Sequence, residues 1–307
     1  MFNDYLNRLS GGGYDTYDLA IPSRTGTTCI GLTAEQFDEF QKRGKRKFRT
    51  LDDFGKLKAD IAAAETLEDL VDFSLENDIC DFCDFDGLHI ENARILVNVV
   101  ASCCYKYPRL RSRICFIGSN DSFCERLKSA ANGNMNILVQ FGLEKIISDV
   151  QTLQTVGDAA LFSVENAIKN RDNYIALAVM VFGLFDAVLF DTQDFCISKY
   201  DSLHLDLINN SAFGFHPDGC GTTKGITYHE MGHLLDFMLG VSSSAEFTAM
   251  RREYSPERIA NELSEYATIS AAEMLAEGFC EYMCRKNPRP LAKRIGEMID
   301  RFYALRE

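Results

Sequence analysis

With 307 residues and a formal net charge of -13, the chain suits one large or two smaller domains and is poorly suited to general binding along a nucleic-acid backbone. Hydrophobic residues at 46% and charged residues at 25% give an ordinary globular balance, which excludes a disordered or fibrous chain. No apolar run reaches bilayer-spanning length and the first ten residues are too polar for a secretory leader, so the expected address is cytoplasmic, with a virion or delivery as an effector as other settings.

Composition shifts near residue 85, which divides the chain into an expected helical extension or arm (1–85) and a compact α+β domain (86–307). In the first part, Gly11-Gly12-Gly13 and Pro22-Ser23-Arg24-Thr25-Gly26 read as loops, 33–42 as a helix, the basic run 42–49 as a solvated face, and 51–75 as helical. Eleven cysteines at irregular spacing read as reduced, buried small hydrophobes. Cys80 and Cys83 form a lone C-x-x-C pair that lacks the second pair of a structural zinc site, and Cys280 and Cys284, one helical turn apart, are expected to pack.

Beyond residue 86 the pattern predicts a helix over 90–107 ended by Pro108, a buried strand over 113–118, and helical material to 147. Strands follow at 176–182 and 187–190, the second able to pair with the first as a hairpin. An amphipathic stretch to 210 leads into the loop His216-Pro217-Asp218-Gly219, where His216 reads as a turn residue. A helix with N-cap candidates Thr222 and Thr223 and a C-terminal Gly240 comes next, and two helices after Pro256 close the chain.

That helix contains His229-Glu230-Met231-Gly232-His233. Histidines four residues apart project from one helix face and can grip a single ion, leaving the intervening Glu230 free to move a proton of an activated water. The pattern predicts one catalytic Zn2+. A catalytic zinc takes three protein ligands, so a third is needed. The extended three-histidine motif requires Gly and His where this chain has Asp236 and Leu239, which leaves a glutamate from a later helix. Ser270-Ala-Ala-Glu273-Met-Leu-Ala-Glu277 supplies the best candidate, Glu273, although Ser270-x-x-Glu273 also fits a capping box. Glu277, one turn on, is placed to accept the free ring N–H of a ligand histidine. Asp236 is a further candidate to orient a ligand or to cap a neighbour. Gly232 is expected to let another backbone approach.

His-Glu-Met-Gly-His-Leu-Leu-Asp at 229–236, Glu265-Tyr266, and Glu273-Met-Leu-Ala-Glu277-Gly-Phe279 together resemble the catalytic domain of anthrax lethal factor and its relatives, which are gluzincin metallopeptidases. The resemblance spans roughly 214–284 and implies a zincin-like domain: a small mixed sheet, the metal helix and C-terminal helices. It implies that Tyr266, seven residues before Glu273, stabilises the oxyanion or assists the leaving amine. It also implies a protein or peptide substrate added to a sheet edge, for which 186–194 is the candidate. A weaker similarity links the segment around His216 to metallopeptidase-like regions of phage minor head proteins. The expected activity is therefore zinc-dependent peptide hydrolysis with Glu230 as general base and neither nucleic acid nor membrane as partner. The alternative is a phage-derived structural or interaction protein that keeps the zinc and the fold without proteolysis.

Overall fold

A computed structural model describes residues 6–8, 17–23, 26–36, 54–137, 147, 150–169, 176–179 and 186–305. Short apolar segments rich in β-branched and aromatic residues build its central sheet. The strands β4 (Phe82–Asp84), β5 (Phe116–Ser119), β6 (Ala176–Val179) and β7 (Ala187–Phe190) take the order β4-β5-β7-β6. β4, β5 and β7 are parallel, and β6 runs antiparallel to β7 with Ala178 opposite Val188, so the expected hairpin pairing is present. β5, β6 and β7 are buried throughout, as strands covered on both faces must be.

Alternate residues of these strands feed two cores. Ile117, Val188, Phe190 and Ala178 join the larger core, whereas Phe116, Ala187, Leu189, Leu177 and Val179 join the smaller one. The smaller core is closed by α4 (Asn120–Ala131) and α5 (Val150–Lys169). The larger core is closed by α3 (Ile90–Lys106) and by the C-terminal helices. The molecule is mostly helical with a small mixed sheet, consistent with the α+β class.

The helical reading of 51–75 resolves into α1 (Phe54–Ala63) and α2 (Leu67–Glu76). The break falls at Thr66, whose hydroxyl accepts from the Asp69 N–H while the Asp69 carboxylate accepts from the Thr66 N–H. Leu57, Ile61 and Leu70 sit in the larger core with Leu96 and Phe279, so packing joins α1 and α2 to the rest of the chain. The expectation of a helical arm needs correcting nearer the N-terminus. β1 (Leu6–Arg8), β2 (Tyr17–Ser23) and β3 (Gly26–Leu32) form an antiparallel sheet in which Ser23 faces Gly26. The Thr- and Ile-bearing run 26–32 favours extended backbone, and Pro22, Ser23 and Gly26, read as loop residues, are instead paired strand residues of β2 and β3. The helix expected at 33–42 begins at 34–36, capped reciprocally by Thr33 and Gln36; its remainder, the basic run 42–49 and the triple glycine lie outside the described residues.

Further along, α6 (Thr192–Phe195) and α7 (Tyr200–Ala212) precede α8 (Thr223–Leu239), the predicted metal helix. Thr222 caps α8 by accepting from the Gly225 N–H at 3.0 Å, and Gly240 ends it in the left-handed region at φ 66°. The chain then forms α9 (Ala245–Arg252), α10 (Pro256–Glu262), α11 (Ala271–Cys284) and α12 (Pro290–Ala304). Three helices rather than two follow Ser255, because its cap and Pro256 start a separate short helix. The 20-residue α5 was not anticipated, although Leu153, Val156, Ala160 and Val164 recur with helical spacing.

Between α11 and α12, Arg289 clamps the fully buried Glu281. Its Nε lies 3.0 Å and one terminal nitrogen 2.7 Å from the same carboxylate oxygen, and that terminal nitrogen also donates to the Leu263 carbonyl. Removing the cation strands a buried charge. Arg289→Ala is expected to cost about 3 kcal/mol, the lower end for a broken buried pair because Arg289 is partly exposed. Urea unfolding checks this, and a loss under about 1 kcal/mol would contradict it.

Candidate metal centre

Nearly every residue of α8 is buried, because the helix lies between β6, α3 and α11. The i, i+4 spacing puts the His229 and His233 rings side by side, with their Nε2 atoms 3.0 Å apart. On α11, Ser270 caps the first turn by accepting from the Glu273 N–H, but the Glu273 carboxylate turns towards the histidines. One of its oxygens lies 3.1 Å from His229 Nε2 and 3.2 Å from His233 Nε2. A tetrahedral ion with bonds of ~2.0–2.1 Å holds its ligand atoms about 3.3 Å apart. The triangle of two imidazoles and one carboxylate therefore has the edge lengths and the donor chemistry of a three-ligand cation site.

Close approach of α8 and α11 makes this possible. A Cβ on Gly232 would sit 3.0 Å from the Ala276 Cα and 3.4 Å from the Phe279 Cβ, so glycine lets the helices meet between the two histidines, as the sequence predicts.

Behind the triangle, Glu277 is fully buried and accepts three hydrogen bonds. His229 Nδ1 donates to it at 2.7 Å, Ser264 Oγ at 2.8 Å and His216 Nδ1 at 3.3 Å. The first bond fixes the His229 tautomer and leaves Nε2 facing the triangle, the role predicted for Glu277. Burial pushes the Glu277 carboxyl up, but the bonds from His216 and His229 outweigh it and bring it down to about 2. Burial likewise depresses His229, yet Glu273 and Glu277 on its two ring nitrogens prevail and raise it to about 10 in the metal-free protein. Glu273 is held well below the usual carboxylate range: burial raises it, and its two histidine partners more than reverse that.

An ion needs the unprotonated Nε2, so near neutral pH it must displace the proton from a ring whose pKa is about 10. Binding should release close to one proton, and apparent affinity should fall by up to ~tenfold for each unit that pH drops. Calorimetry in buffers of different ionisation enthalpy measures this; binding with no proton release would contradict it.

Glu230 is also buried, and its Oε2 accepts the Ala178 N–H of β6 at 2.5 Å. The strand at the sheet edge beside the site is therefore β6, not the 186–194 segment. β7 lies inside the sheet between β5 and β6, an order the distant pairing of 116–119 with 187–190 imposes. Tyr266 stands in a single turn of 3-10 helix, with its ring centroid 5.7 Å from that of His229 and 5.3 Å from that of Phe215. Its N–H donates to the Phe215 carbonyl and that of Glu265 to the Gly214 carbonyl, which brings 214–216 against the turn.

His216, expected as a turn residue, is thereby swung onto Glu277. No local signal could have found this contact between residues 61 apart. Ser264 was missed for the same reason. Asp236 does not orient a histidine. Its carboxylate accepts from Ser242, at 2.8 Å from the N–H and 2.5 Å from the hydroxyl, and so anchors the turn after α8. Cys80 and Cys83 are buried free thiols that belong to no group of three metal-binding side chains among the described residues. No described helix is long and apolar enough to cross a membrane. No protein-family model, curated protein or solved structure matches the chain.

Proposed function

We propose that the chain is a zinc-dependent metallopeptidase of the gluzincin type, with a zincin-like domain similar to that of lethal factor. The observation that carries this reading is the convergence of His229, His233 and Glu273 on one point, with Glu230 on the same helix as both histidines. A structural zinc site normally takes four protein ligands; three protein donors leave a position for a reactant. His229, His233 and Glu273 would hold the ion, with Glu277 steadying His229. When bound, Zn2+ supplies a Lewis acid that activates water and polarises a carbonyl.

The chain's own residues do the rest. Glu230 takes a proton from the attacking water at its carboxylate and passes it to the leaving nitrogen. Tyr266, beside the His229 ring, donates its phenolic hydrogen bond to the oxyanion. An extended peptide is oriented along β6, the strand whose Ala178 N–H already meets Glu230.

The test is hydrolysis of denatured casein and a mixed peptide library by the full chain. Activity is expected to vanish with a chelator and return with zinc. No cleavage at any zinc loading would sink the proposal. One observation favours the structural alternative: Glu230 also ties α8 to β6 through Ala178. If that were its whole role, blocking proton transfer at Glu230 would leave function untouched while His229→Ala destabilised the fold.

A further inference from the structure

A second convergence of metal-binding side chains lies on α11 and the turn that leads into α8. The Sγ atoms of Cys220, Cys280 and Cys284 all lie within 4.8 Å of one another. Cys220 sits in the turn that leads into α8, while Cys280 and Cys284 are one turn apart on the last half of α11. On a helix, positions 273, 277, 280 and 284 fall along a single stripe, so the face of α11 that carries the two glutamates continues directly into the thiols. The Cys280 thiol donates to the Gly225 carbonyl at 3.1 Å, which fixes its side chain against the start of α8.

Buried cysteines commonly serve as small hydrophobes, and Cys103 and Cys104 fit that description. The present three differ, because a chain segment 60 residues away delivers a third sulfur to a pair already aligned on a helix. Among the described residues no other cysteines form such a group. Metal–sulfur bonds of ~2.3 Å place ligand sulfurs about 3.8–4.0 Å apart. The observed spread, within 4.8 Å, is compatible with that spacing. We propose that Cys220, Cys280 and Cys284 form a second cation site, for a thiophilic d10 ion such as Zn2+ or Cu+. Three sulfurs without nitrogen or oxygen select soft ions over Mg2+ or Ca2+. Binding exchanges three thiol protons for three metal–sulfur bonds, with no change of oxidation state. The half-buried Cys284 gives the ion an entry path. Bound there, it would staple the start of the histidine helix to the end of the glutamate helix.

The test uses the reduced, metal-stripped full chain. Titration with Cd2+ should produce a thiolate-to-cadmium charge-transfer band that is lost in Cys220→Ser and kept in Cys80→Ser. Zinc titration should show one equivalent more in wild type than in Cys220→Ser, and anaerobic Cu+ titration shows which ion holds the site more tightly. A band that survives Cys220→Ser overturns the proposal. A readout without variants guards against misfolding: in the wild-type chain, Zn2+ should slow alkylation of Cys284 while the similarly half-buried Cys124 and Cys196 react unchanged. Equal protection of all three, or none, overturns it as well.

Discussion

Glu230→Gln is expected to lower peptide hydrolysis by ~10²–10⁴-fold while the ion stays bound. The substitution changes little except basicity. Glutamine keeps the length of the side chain and an amide oxygen that can still accept the Ala178 N–H, so the tie between α8 and β6 survives. It cannot take a proton from water. None of the three ion ligands is touched, which predicts unchanged zinc stoichiometry and a melting temperature close to wild type. Glu230→Ala is the harsher variant. It leaves the Ala178 N–H buried without its acceptor, at a cost of about 1–3 kcal/mol, and so confounds chemistry with folding. Rates on a cleaved peptide, measured beside zinc content for wild type and Glu230→Gln, decide the matter. A variant that keeps both zinc and activity would remove Glu230 from the reaction.

Glu273→Ala should abolish tight zinc binding. A four-ligand zinc site contributes roughly 10–16 kcal/mol, so one ligand among few carries on the order of 3 kcal/mol, or about a hundredfold in affinity. The carboxylate also supplies a negative charge that offsets one of the ion's two positive charges. Without it, two imidazoles must hold a cation in a buried site. Its loss has a second consequence in the metal-free protein. Burial depresses the His229 pKa, and the hydrogen bond with Glu273 is one of those that raise it above its ordinary value, so that ring should titrate lower in the variant, visible by NMR of the imidazole. Competition against a zinc-responsive dye measures the affinity. Wild-type affinity in Glu273→Ala would mean that another group completes the triangle.

Glu277→Gln should act more gently, because it stands behind a ligand rather than at the ion. Weakening of ~10–100-fold is expected, since the amide can accept from His229 but no longer supplies charge.

Much of the site could be read from local spacing. His229 and His233 share a helix face because of the helical period, and Thr222 and Gly240 mark the ends of that helix. Glu273 and Glu277 are related by the same period, so choosing one as ligand placed the other one turn behind it. For Asp236 the sequence left two roles open, to orient a ligand or to cap a neighbour, and the fold shows the second: Gly240 turns the chain back so that Ser242 reaches its carboxylate. The N-terminal strands show where local reasoning stopped, since Pro22, Ser23 and Gly26 read as loop residues yet pair within β2 and β3.

The sequence by itself determined the helix that carries the histidines, the glycine that lets a neighbour approach and the glutamates able to join them, because each depends on residues within a few turns of one another. Only the tertiary structure decided that β6 rather than β7 borders Glu230, that His216 and Ser264 share Glu277, and that Cys220 meets Cys280 and Cys284. Those contacts join residues far apart in the chain. Their partners are set by the order of strands and by how closely α8 packs on α11, which no local period encodes.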